Sequence, residues 1–210
     1  ILHIISAYYT IGFYSDDEHF QILEISAYLL GINNLAIEDT TGYYWEWREH
    51  IRMRPWLQPY IYYQIITFLK IFGFNDPFAW TLFIRLISSI IGYLSVIFLF
   101  FSLKDYFFKK NYKFNTLIFF TFWFYPFLHS RTSSENLSIT LFLISFCILY
   151  NMIIKKNYKI NYLIFILASF LMGISMVVKF NLVFTTIPFF FWFLVYRFNF
   201  YLLTIFCLLI

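Results

Sequence analysis

Three adjacent carboxylates, Asp16, Asp17 and Glu18, follow directly on the first apolar segment of the chain, within the run Tyr14-Ser-Asp-Asp-Glu-His-Phe-Gln-Ile-Leu-Glu24. Ionisable groups are expensive near hydrocarbon, so such a cluster is expected in a wet cavity at a membrane interface, as the acid/base centre of a membrane enzyme. A carboxylate kept ionised there can accept a proton from a hydroxyl within hydrogen-bond reach. Ser15 and Glu18 also have capping-box spacing, so the same acids fit the first turn of a short helix, whose dipole favours their ionised form. Spacing alone leaves the two readings open. His19 is isolated, and no dense set of His, Cys and Asp suggests a metal site.

A second polar cluster is Trp45-Glu-Trp-Arg-Glu-His-Ile-Arg-Met-Arg-Pro-Trp-Leu-Gln-Pro59. Three arginines, Arg48, Arg52 and Arg54, among three tryptophans and two prolines suit a stiff surface that grips phosphate by forked hydrogen bonds and a sugar ring by stacking. An ordinary interfacial belt of Trp and Arg would read the same way. Further polar residues stand at the ends of apolar segments: Arg85, the turn His129-Ser-Arg-Thr-Ser-Ser-Glu-Asn136 with Arg131 and Glu135, and Lys179 with Asn181. A single cation in such a place often only snorkels, but these all fall on one expected side.

The elements that must position these groups follow from composition. Hydrophobic residues make up 61% and charged residues 12% of the 210, too little polar surface to cover a soluble globule of that length. The expected fold class is all-α, a polytopic transmembrane helix bundle. The net charge of +4 comes from lysines in short loops, with no basic face for nucleic acid. Cys147 and Cys207 lie within apolar runs, where a thiol behaves as a small hydrophobe and implies no disulfide framework.

Crossing a bilayer takes roughly 20 residues of helix. Residues 1–13 read as the end of a first span, and apolar stretches near 78–103, 114–128, 136–154, 161–178, 182–196 and 198–210 read as six more. The chain opens on Ile1 and stops inside an apolar run, so it is expected to be a piece of a longer protein with a single membrane domain over 1–210. Lys104, Lys109, Lys110 and Lys113 form one basic loop, and Lys155, Lys156 and Lys159 another; both belong on the cytoplasmic side. If 57–73 crossed as well, the acidic loop would share that side. Gln58, Pro59, Gln64, Lys70 and several tyrosines instead predict a helix lying in the interface. Residues 14–77 then form one external loop that holds nine of the eleven acidic residues. Within it, Phe20, Leu23, Ala27 and Leu30 predict an amphipathic helix ended by Gly31.

Asp17-Glu18-x-Phe-Gln-x-x-Glu24, Trp45-Glu-Trp-Arg48, Arg54-Pro, Arg85 in Arg-Leu-Ile-Ser, and Ser130-Arg-Thr-Ser-Ser-Glu-Asn136, in that order, resemble the lipid-linked-donor mannosyltransferases of glycosyltransferase family 22. The family includes endoplasmic-reticulum enzymes that build the N-glycan precursor and the GPI anchor, with bacterial relatives. The resemblance implies a C-type glycosyltransferase membrane domain and inverting transfer of a hexose, normally mannose, from a polyprenyl-phosphate donor to a glycan or glycolipid acceptor. It implies Asp17 as catalytic base. The family's usual His-Pro-Asp-Glu is Ser15-Asp16-Asp17-Glu18 here, and a common arginine is Lys179, which keeps charge but loses the fork.

The expected roles are therefore Asp17 as base, Glu18 or Glu135 orienting the acceptor, and Arg48, Arg54, Arg85, Arg131 and Lys179 binding the phosphate-bearing donor. No cofactor or metal is expected beyond the lipid-linked sugar phosphate itself. Two other classes compete: a transporter, which would place paired charges or broken helices at the midplane and often shows repeats, and a non-catalytic scaffold. Neither accounts for acids, arginines and aromatics gathered on one side. Asn136-Leu-Ser138 matches a glycosylation sequon but abuts a span, where it is expected to be inaccessible. Abundant Ile, Asn, Lys and Phe suggest an AT-rich genome, and Ile51-Arg-Met-Arg-Pro55 resembles the bacterial relatives more closely, so a bacterial cell membrane is expected over the endoplasmic reticulum, with the site on the external or lumenal face.

Overall fold

Helix is the local structure that lets a long apolar run satisfy its own backbone away from water. All regular structure among the described residues is helical; these are 1–9, 22–32, 55–107, 112–122, 124–154 and 162–197 of the computed structural model. The helices are α1 (Leu2–Tyr9), α2 (Glu24–Leu29), α3 (Leu57–Ile71), α4 (Pro77–Phe107), α5 (Tyr112–Thr121), α6 (Phe124–His129), α7 (Ser134–Ile154), α8 (Tyr162–Val178) and α9 (Val183–Arg197), with a 3-10 turn at Phe180–Leu182 before α9. Segments of α4 and α7, Pro77–Lys104 and Ser134–Met152, are long and apolar enough to cross a membrane. The stretch 198–210 lies outside the described residues.

The apolar stretch 114–128 is not one helix. It divides between α5 and α6, and Pro126 gives the reason. In an unbroken helix its ring would clash with the carbonyl of Phe122, whereas in the first turn of α6 its missing N–H is no loss.

One compact unit comprises Ile1–Ile90 with Tyr125–Asn136. Its core is Ile22, Tyr62, Ile66, Leu69, Trp80 and Ile84, packed against Leu23, Leu30, Ile65 and Phe83. α3 turns Gln58, Pro59, Tyr62, Ile66 and Leu69 inward at helical spacing. Its other face exposes Tyr60, Ile61, Phe68 and Ile71, an apolar surface that suits a helix lying in a membrane interface.

Both α2 and α3 end in the same way. Gly31 (φ 70) and Gly73 (φ 84) take the left-handed conformation. Ile32 N–H bonds Ala27 C=O and Phe74 N–H bonds Leu69 C=O, while the glycine N–H groups bond Tyr28 and Lys70, the Schellman pattern. α2 thus stops at Gly31 as its sequence predicts, but its buried residues are Ile22, Ile25 and Ser26. The expected stripe members Leu23, Ala27 and Leu30 are only half-buried, because a wider π-type turn at residues 22 and 23 rotates the face.

The other unit comprises Ile91–Phe124 with Leu137–Ile210. Its core is Leu149, Phe165, Ala168, Met172 and Phe189, flanked by Phe142, Phe146, Ile148, Met152 and Trp192. α8 packs through small residues, with Ala168, Ser169, Gly173 and Ser175 buried, and turns Leu163, Leu167, Phe170 and Val177 outward. The buried face also carries Phe165 and Met172, and a helix apolar on both faces suits lipid surroundings. Two side-chain bonds tie this unit: Ser145 Oγ donates to Ala168 O (2.7 Å) and Asn151 Nδ2 to Ser102 Oγ (2.8 Å).

Candidate active site

The turn between α6 and α7 carries the densest polar network among the described residues. Ser130, Arg131, Thr132 and Ser133 are all buried, although they belong to no helix. A buried turn must find partners for its backbone groups. Ser130 N–H bonds Pro126 O and Arg131 N–H bonds Leu128 O, closing α6, while Ser133 Oγ caps α7 by accepting from Asn136 N–H (3.3 Å).

Side chains from three helices hold the carbonyls. Asn136 Nδ2, in the first turn of α7, donates to Arg131 O (2.7 Å) and lies within bonding distance of His129 O (3.2 Å) and Ser88 Oγ (2.9 Å). From α4, Ser88 Oγ donates to Arg131 O (3.0 Å). From α3, Gln58 Nε2 donates to Thr132 O (2.8 Å) and Tyr62 Oη (3.0 Å). The sequon at Asn136 is therefore not free for modification, since its amide is committed to the turn.

α1 closes another side. Ser130 Oγ donates to Phe127 O (2.8 Å), so Ser6 Oγ is the donor in its 3.2 Å bond to Ser130 Oγ. His3 Nε2 and His129 Nδ1 lie 3.0 Å apart, and Tyr125 stacks on the His129 ring at 5.8 Å. Burial, and then the neighbouring His3 ring, hold His129 well below the usual histidine range, so it is a neutral hydrogen-bonding group at neutral pH.

Of the residues singled out by sequence, this turn brings together Arg131 and Glu135. The Arg131 guanidinium lies over the Phe127 ring, 4.6 Å from its centroid. Only 7% of the residue is exposed. A cation fixed in such low-dielectric surroundings acts strongly on nearby negative charge and needs little reorganisation. Glu135 is half-buried in the first turn of α7, where the helix dipole suits a carboxylate, and Ser134 Oγ reaches its Oε2 at 3.4 Å. Arg85 is half-buried on α4, one helical turn before Ser88. Lys179 belongs to the other unit, in extended backbone between α8 and the 3-10 turn. Asp17, Glu18, Arg48 and Arg54 lie outside the described residues.

Sequence reasoning assigned no site role to Gln58, Ser88, His3 or Ser6, and Gln58, expected as a polar mark of an interfacial helix, is instead buried against the turn. Gln58 had a signal: it shares the spacing of Tyr62, Ile66 and Leu69, and a polar residue on the apolar face of a helix needs an internal partner. Among the described residues no three His, Cys, Asp or Glu side chains gather as a metal site would require.

A search of curated proteins and one of solved structures gave no significant match. The model of the Alg9-like mannosyltransferase family matches residues 1–210. That match runs through the acidic segment, the tryptophan–arginine cluster and the buried turn alike, so the chain belongs to the Alg9-like mannosyltransferase family and is a glycosyltransferase.

Proposed function

We propose that the chain transfers a hexose, mannose, from a polyprenyl-phosphate-linked donor to a hydroxyl of a glycan or glycolipid acceptor, with inversion at the anomeric carbon. The observation that carries this reading is the family match over 1–210. The acceptor oxygen attacks the anomeric carbon, the bond from that carbon to the phosphate oxygen breaks, and the acceptor proton passes to Asp17. Glu18 or Glu135 orients the acceptor. The departing polyprenyl phosphate already bears negative charge, so it calls for cations more than for protonation. Arg48, Arg54, Arg85, Arg131 and Lys179 supply them, and the route uses neither a metal nor a further cofactor. The buried position of Arg131 suits a fixed source of positive potential better than a mobile hook. The site faces the external or lumenal side, in a bacterial cell membrane by preference and in the endoplasmic reticulum if the source is eukaryotic.

Membranes containing the protein are expected to move labelled mannose from polyprenyl-phosphate mannose to a glycolipid fraction. Asp17→Asn should reduce that transfer by 10²-fold or more, about the size of a lost general base, at unchanged protein level. Near-normal turnover in the variant would remove Asp17 from the base role. Solute uptake into proteoliposomes without sugar transfer would favour a transporter instead.

A further inference from the structure

We propose that Gln58 is a positioning residue for the transferase site, holding the turn that carries Arg131 and Glu135 in register with the first loop. The proposal rests on the transferase reading above and deepens it. Gln58 is 2% exposed and is the second residue of α3. Its Nε2 is the donor to Thr132 O, across 74 positions of sequence. The adjacent residue, Pro59, has its carbonyl 3.2 Å from Ser26 Oγ of α2, the longer branch of a hydroxyl that donates chiefly to Ile22 O (2.7 Å). Two successive residues at the start of α3 therefore join α2, which follows the acidic segment, to the buried turn. In sequence, Gln58 stands four residues after Arg54, and Ser26 eight after Glu18. The start of α3 thus links α2 to the turn that carries Arg131 and Glu135.

The state of the amide supports this assignment. Gln58 Oε1 is buried and has no hydrogen-bond partner, while both N–H groups are used. An unmet buried acceptor is destabilising. Rotating the amide by half a turn would give Tyr62 Oη an acceptor but would leave Thr132 O facing an oxygen. The orientation is therefore dictated by the turn, whose own backbone has no helix to satisfy it. A hydrogen bond that fixes a loop in place acts on a reaction through geometry, and misplacement of about 1 Å can lower a rate about 10²-fold.

Gln58→Met keeps length and burial and removes both donors. With polyprenyl-phosphate mannose as the probe, the variant is expected to lose about 10- to 100-fold in kcat with donor KM within about twofold of wild type. Without substrate, amide hydrogen exchange over 129–136 should rise about 10-fold while the core of α8 keeps its protection. Tyr62→Phe, which leaves the Thr132 bond in place, should keep wild-type kcat and wild-type exchange over 129–136, whatever its effect on overall stability. Unchanged kcat and exchange would overturn the proposal, as would exchange rising across both units, the sign of general destabilisation. If Gln58→Met does not accumulate, Gln58→Asn, an amide one methylene too short, is read by the same criteria. A wild type inactive with this donor would remove the proposed reaction, while local exchange would still report whether Gln58 holds the turn.

Discussion

Asn136 shows how much one side chain can determine in a buried turn. Its backbone N–H reaches the capping serine, and its side-chain amide is shared among Arg131 O, His129 O and Ser88 Oγ. Asn136→Leu has similar volume and no donor, so His129 O loses its side-chain partner while Arg131 O keeps Ser88. The expected cost is about 1–3 kcal/mol, that of a buried polar group left unmet, measured as a lower thermal midpoint in detergent. The loss should be smaller in Ser88→Ala, because Asn136 still reaches Arg131 O. Equal losses in the two variants would show that Ser88 contributes as much to the turn as Asn136. The sequence made Arg131 and Glu135 visible through their charge. It left Gln58, Ser88 and Asn136 without catalytic emphasis, because amides and hydroxyls acquire meaning only from distant partners.

At the scale of elements, the helices were largely legible. Apolar runs, glycine stops and lysine-rich breaks are local signals, and α4, α7, α8 and α9 begin and end within a few residues of the expected spans. The miss at 114–128 came from counting apolar length and passing over Pro126. The rotated face of α2 came from assuming a uniform helical period through a wider turn. α3 ends where Gly73 permits, and its left-handed φ of 84° can be tested by substitution. A Cβ at Gly73 would meet nothing within 4 Å, so Gly73→Ala carries only the backbone penalty of about 1–2 kcal/mol. Thermal unfolding should show that loss, with Gly73→Asn milder because asparagine tolerates the conformation. A neutral alanine variant would mean that the Schellman bonds at Phe74 and Gly73 are not required to end α3.

At the scale of the whole molecule, the decisive quantity is sidedness, because a transferase acting on a lipid-linked donor needs its acids and arginines on one face. The proposed orientation rests on the sign of charge along the sequence. Acidic residues collect at 14–77, lysines at 104–113 and 155–159, and each basic segment is separated from the next polar turn by apolar helix. The proposed orientation depends on α3 not crossing. Single cysteines decide the matter. In a chain with Cys147 and Cys207 replaced by Ala, Glu38→Cys and Asp76→Cys should react with an impermeant maleimide added outside intact cells. Lys109→Cys and Lys155→Cys should react only after permeabilisation. If α3 spans the bilayer, Lys109 shares a face with Glu38 and Asp76 takes the opposite one. That result would place the acidic segment on the same side as the lysines and reverse the orientation on which the proposed reaction depends.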